Sequence, residues 1–106
     1  MERLEKSRKL HEEAKKLTPG GVHSGLRAFD PYPVFISRAK GSKIYDADEN
    51  EYIDYHLAFG PVVLGHCHPA VVKAVKEQLE NGIIFGLCNE LEIEVARKIN
   101  AHVPSA

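Results

Sequence analysis

The sequence predicts an α+β chain: one charged helix, then a three-stranded antiparallel meander, then two more helices. Three observations predict it. Apolar residues recur at helical spacing near both ends, three short β-branched or aromatic runs lie in the middle, and the turns between those runs are too short for a parallel crossover. At 106 residues the chain suffices for one small domain. With 43% hydrophobic and 27% charged residues and no low-complexity tract, it has the composition of a folded chain rather than a disordered one.

The first helix is predicted over residues 2–17, where Leu4, Leu10, Ala14 and Leu17 share a loose apolar stripe and charges of alternating sign cover the rest. Thr18-Pro19-Gly20-Gly21 ends it, because proline disfavours helical geometry in the residue before it and the glycines open backbone angles closed to other residues. Residues 22–32 read as loop. Val34-Phe35-Ile36, Lys43-Ile44-Tyr45 and Tyr52-Ile53-Asp54-Tyr55 read as the three strands. Gly41 serves the first turn, and Asp46, Asp48 and Asn50 supply side chains that bond nearby backbone in the second.

Beyond the apolar stretch Leu57 to Leu64, broken by Gly60-Pro61, comes Gly65-His66-Cys67-His68-Pro69 and a well-marked helix. Pro69 suits its first position, Val71, Val72, Val75 and Leu79 form its buried stripe, and Gly82 closes it. Asn89 and Glu92 have the offset of a capping box for the last helix, whose apolar face is Leu91, Val95 and Ile99. These helices and a three-stranded sheet have little surface to bury against one another, so the chain is expected to be a piece of a larger protein.

Charge excludes several functions. Fourteen Lys and Arg nearly cancel fifteen Asp and Glu, leaving a net charge of −1 and no field suited to nucleic acid or an anionic membrane. No apolar run has the length of a bilayer span, and the charged start lacks the apolar stretch of a secretory signal, so a cytoplasmic location is expected. Cys67 and Cys88 lack metal or redox spacing and are expected to be reduced and buried. His66 and His68 with one cysteine make no complete metal set; one of the two histidines is expected to pack or hydrogen-bond at a tight turn into the helix. His23 beside Ser24 makes no nucleophile-base pair, since no third group orients it.

Several motifs carry a family likeness: Pro19-Gly20-Gly21-Val22, Ser24, Arg27-Ala28-Phe29, Gly41-Ser42, Tyr45-Asp46, Asn50-Glu51-Tyr52-Ile53-Asp54-Tyr55, Gly60-Pro61, Leu64-Gly65-His66, His68-Pro69 and Phe85-Gly86. In this order and spacing the chain resembles the start of the class-III aminotransferases, and most of all their glutamate-1-semialdehyde aminomutase branch, from about Leu10 to the last residue. The resemblance implies a pyridoxal-phosphate enzyme of fold type I, with an α/β architecture, acting as a homodimer on a small amino-acid or amino-aldehyde substrate. For the aminomutase branch it implies intramolecular transfer of an amino group in tetrapyrrole precursor synthesis. It also implies that residues 1–60 are a small-domain segment and residues 61–106 a helical connection into a large domain that binds pyridoxal phosphate.

Such chemistry needs a lysine that carries the cofactor, a carboxylate on its ring nitrogen and a phosphate cup at a helix amino terminus. None of the lysines at positions 6, 9, 15, 16, 40, 43, 73, 76 and 98 stands in the family's context for that role, and the family's Ser-Gly-Thr phosphate motif is absent. No catalytic, cofactor-binding or metal-binding residue is therefore assigned in this chain, which alone is expected to be inactive.

The likeness implies that Arg27 holds a substrate carboxylate, a task suited to a guanidinium making two parallel charge-assisted bonds, with Ser24 beside it. Without the likeness, Arg27 reads as an exposed loop arginine. Phe59 stands where the aminomutases commonly carry a tryptophan lining the substrate pocket; the smaller ring keeps an apolar wall and loses an indole donor. Asp30-Pro31-Tyr32 and Glu49 also depart from the branch's glycine-rich pattern. Phe85 and Gly86 are implied at the active-site entrance or dimer interface, the plain reading being an apolar loop between helices. Two alternatives stand beside the aminomutase: a class-III aminotransferase acting on another amino compound, and a non-catalytic binding or assembly module derived from one.

Overall fold

A computed structural model describes residues 3–105. The chain divides into two compact units, Met1–Val71 and Val72–Ala106. In the first, helix α1 spans Glu5–Leu17, and strands β1 (Ile36–Lys40), β2 (Lys43–Asp46) and β3 (Glu51–Ile53) form an antiparallel sheet in the order β1-β2-β3. Helix α2, Pro69–Leu79, runs from the end of the first unit into the second, which also holds α3, Glu90–His102. The α+β fold class read from the sequence is the one observed.

Helix α1 begins at Glu5, after a Leu4 that provides no side-chain cap. Its first turn is satisfied from a distance: the Asp48 carboxylate accepts from Lys6 N at 3.1 Å and from Ser7 N at 3.4 Å. The buried residue of α1 is Ser7, whose Oγ accepts from Phe35 N at 3.1 Å. The stripe of Leu4, Leu10, Ala14 and Leu17 is not buried, and Leu17 is largely exposed. The partners of the helix's first half are the polar side chains of the β2–β3 turn rather than an apolar layer, and Asn50 Nδ2 adds a bond to Arg3 O at 2.8 Å.

After Thr18 the chain makes two 3-10 turns, Pro19–Gly21 and Gly25–Arg27, inside the segment read as loop. Gly21 lies buried against α1 at φ 69°, where a Cβ would stand 2.9 Å from both His11 Cε1 and Lys15 Cγ.

Strand β1 starts at Ile36 instead of Val34. Phe35 bonds elsewhere, donating to Ser7 Oγ and accepting from Ala47 N at 2.8 Å, and an irregularity between Ile36 and Arg38 is bridged by Ser37 Oγ donating to Asp46 O at 2.9 Å. Arg38, Tyr45 and Glu51 pair across the three strands on one face; the Arg38 guanidinium lies 3.6 Å from the Tyr45 ring centre, and Tyr45 Oη donates to Glu51 at 2.8 Å. These pairs are solvent-exposed and stabilise little.

The β2–β3 turn is built on Asp46, fully buried. Its carboxylate accepts from Asp48 N (2.9 Å), Asn50 N (2.8 Å), Asn50 Nδ2 (2.8 Å) and Tyr52 Oη (2.8 Å). Burial alone would raise the Asp46 pKa, but the donors from Asn50, Tyr52 and Asp48 outweigh it and hold the carboxyl below its ordinary range.

In the second unit, Gly82 turns the chain after α2 at φ 88°, and Gln78 Nε2 donates to Gly82 O at 2.9 Å. The expected capping box opens α3: Asn89 Oδ1 accepts from Leu91 N at 2.8 Å and Asn89 N donates to Glu92 Oε1 at 3.1 Å. The apolar stripes of α2 and α3 are not buried; Val75 is 50% and Val95 54% exposed. Among the described residues no hydrophobic side chain is fully buried. Cys67 and Cys88 are reduced but exposed, because no apolar layer among the described residues covers them.

Candidate substrate-facing site

Arg27 and Ser24 share one tight turn. Arg27 N donates to Ser24 O at 2.9 Å and Ala28 N to Gly25 O at 3.1 Å, so the turn fixes both Cα positions while leaving the side chains out of the bonding. Arg27 is exposed, and its guanidinium meets no carboxylate among the described residues. The turn hangs from α1 through Gly21, whose N donates to Thr18 O at 3.0 Å. A hollow of about 320 Å³ beside it is lined by His11, Gly20, Phe29, Asp30 and Pro31 among others, and by none of Arg27, Ser24 and Phe59.

Phe59 lies on a different 3-10 turn, Leu57–Phe59, and is 60% exposed. Its ring meets the His56 ring edge-on, with centres 4.1 Å apart. No hydrogen bond, ion pair or ring contact among the described residues joins Phe59 to Arg27 or Ser24. In the second unit, the Phe85 ring passes beneath Gly82, where a Cβ would stand 3.3 Å from Phe85 Cε1, while a Cβ on Gly86 would meet open space.

Asp54, a residue of the third predicted strand and of the family motif, has no site role in the sequence analysis. It is 8% exposed, and Oδ1 accepts from His56 N at 2.8 Å and Leu57 N at 3.1 Å while Oδ2 lies 2.7 Å from His66 Nε2. The His66 hydrogen bond holds the Asp54 carboxyl below its ordinary range, against the upward push of burial. His66 is the histidine that bonds at the turn before α2, and its backbone pairs in both directions with Gly41 at 2.8 Å. Gly65 is required there: at φ 80°, its Cβ would stand 3.0 Å from Gly41 O. An acidic residue inside an otherwise apolar and aromatic strand run, within a motif of the family likeness, was a signal that could have flagged Asp54.

Lys9, Lys43, Lys73 and Lys98 are paired with Glu5, Glu51, Glu77 and Glu94. The first amides of α1 are taken by Asp48, and Asn89 caps α3. No group of three or more His, Cys, Asp or Glu among the described residues could hold a metal ion.

Known proteins place this arrangement. A glutamate-1-semialdehyde 2,1-aminomutase of Methanosarcina acetivorans is 54% identical over 102 residues, covering 96% of this chain and 24% of that protein. The crystal structure of an ω-transaminase from Sphaerobacter thermophilus superposes with a TM-score of 0.90 at 33% identity, covering 93% of this chain and 23% of that one. A transaminase with pyridoxal phosphate bound superposes with a TM-score of 0.89 at 31% identity, over 95% of this chain and 24% of that one. The chain thus spans about a quarter of the length of the relatives it matches. Residues 26–106 match the aminotransferase class-III family, and the chain belongs to that family.

Proposed function

We propose that this chain is the amino-terminal part of a pyridoxal-phosphate enzyme that converts glutamate-1-semialdehyde by moving its amino group within the molecule, a step of tetrapyrrole precursor synthesis. The observation that carries the reading is the 54% identity to the Methanosarcina aminomutase along nearly the whole segment. The geometry supports it. A rigid turn offers an exposed guanidinium with no carboxylate partner among the described residues, the state suited to receiving a carboxylate from outside.

In this reading Arg27 binds the substrate carboxylate in two charge-assisted bonds, Ser24 adds a hydroxyl beside it, and the Phe59 ring forms an apolar wall. Together they fix which end of the substrate faces the reacting centre. The cofactor, when bound, supplies the electron sink for amino transfer, and the residues that hold it belong to the part of the protein outside this segment. Residues 1–60 form the small-domain segment and residues 61–106 lead into the large domain. Phe85 and Gly86 lie at the active-site entrance of a cytoplasmic homodimer, where an exposed ring beside a glycine suits a close contact.

A class-III aminotransferase acting on another amino compound is the second reading. Phe59 in place of the branch's tryptophan and the likeness to the Sphaerobacter ω-transaminase favour it. The test follows the cofactor absorbance of the complete protein with glutamate-1-semialdehyde and with common amino donors. The aminomutase reading expects a change with glutamate-1-semialdehyde. A response only to other donors favours the second reading, and no response to any of them overturns both.

A further inference from the structure

Leu57, Ala58 and Phe59 have φ of 50°, 51° and 67°, and Gly60 follows at 125°. Three consecutive residues with a Cβ in the left-handed region are strained, and such a run persists only where the surroundings dictate it. Here they do. The Asp54 carboxylate accepts the amides of His56 and Leu57 at the entry to the turn, and Leu57 O accepts from Gly60 N at 2.9 Å and Val62 N at 3.3 Å at its exit. The other oxygen of Asp54 is held by His66, itself locked to Gly41 between β1 and β2 by two backbone bonds.

The Phe59 ring at the end of this turn is 60% exposed among the described residues. The turn's conformation, fixed by Asp54 and His66, sets where the Phe59 ring stands. We propose that Asp54 and His66 are positioning residues: they hold the left-handed Leu57–Phe59 turn and so set the Phe59 ring as a specificity wall for the substrate. The inference rests on the reading of Phe59 as part of the substrate site.

Kinetics of the complete, cofactor-loaded protein with glutamate-1-semialdehyde test it through a double-mutant cycle. Asp54→Asn is expected to raise KM about fivefold with kcat within about twofold of the parent, and in a Phe59→Ala background the same change is expected to move KM less than about twofold. His66→Gln keeps the carboxylate and its two backbone bonds, so it reports even where Asp54→Asn fails to fold; the same coupling to Phe59 is expected, at smaller size. Equal KM effects in both backgrounds, or none, overturn the positioning role and leave the proposed function standing. A parent protein that responds to neither glutamate-1-semialdehyde nor any amino donor removes the substrate-site reading and this inference with it.

Discussion

Gly65 shows how much a single residue decides. The strand-like bridge between Gly41 and His66 brings two backbones so close that a methyl group at position 65 meets Gly41 O, in a conformation residues with a Cβ avoid. Gly65→Ala is expected to lower stability by ~1–3 kcal/mol, read as a lower denaturant midpoint at unchanged slope. Asp54 adds a pH signature. Its folded pKa lies below the ordinary 3.8, so its contribution is fully present above that value and is lost as pH falls through the lower folded one. Thermal midpoints of Asp54→Asn should therefore lie below those of the parent near neutrality and converge with them in acid. Buried Asp46, shifted the same way, leaves part of the acid sensitivity in the variant. That one of His66 and His68 bonds at a turn was legible, though not which, whereas the part played by Asp54 was not: strand composition accounts for Tyr52-Ile53-Asp54-Tyr55 without asking what an acid does inside the run.

The helices divide according to where their caps come from. Asn89 and Glu92 cap α3 from within three residues, so the sequence displayed the device and the structure has it. Asn89→Ala is expected to weaken α3 by ~1 kcal/mol, read as lost helical ellipticity and faster exchange of the Leu91 amide. Helix α1 is capped by Asp48 from another element, which no local rule can reveal. Asp48→Ala is expected to speed exchange of the Lys6 and Ser7 amides by about five- to tenfold, with unchanged exchange contradicting the remote cap. Strand β1 slipped by two residues for a related reason: Val34-Phe35 has strand composition, but Phe35 N is claimed by Ser7 and its carbonyl by Ala47. Gly41, Asp46 and Asn50 were legible because turn chemistry is local.

At the scale of the molecule, the apolar stripes that periodicity marks for burial are exposed among the described residues. Spacing says which residues share a face, but only a partner layer removes them from water, and none among the described residues covers Val75, Leu79, Val95 or Ile99. The proposed substrate site has the same character: Arg27 and Phe59 stand on separate turns with no bond between them among the described residues, and the joint role proposed for them rests on what faces them in the complete protein. The most direct measurement is therefore a substrate titration of that protein, cofactor-loaded, comparing the parent with Arg27→Gln by absorbance. The account predicts identical spectra before substrate and half-saturation at least about tenfold higher in the variant, the loss of a charge-assisted pair. Equal half-saturation in the two proteins would contradict it.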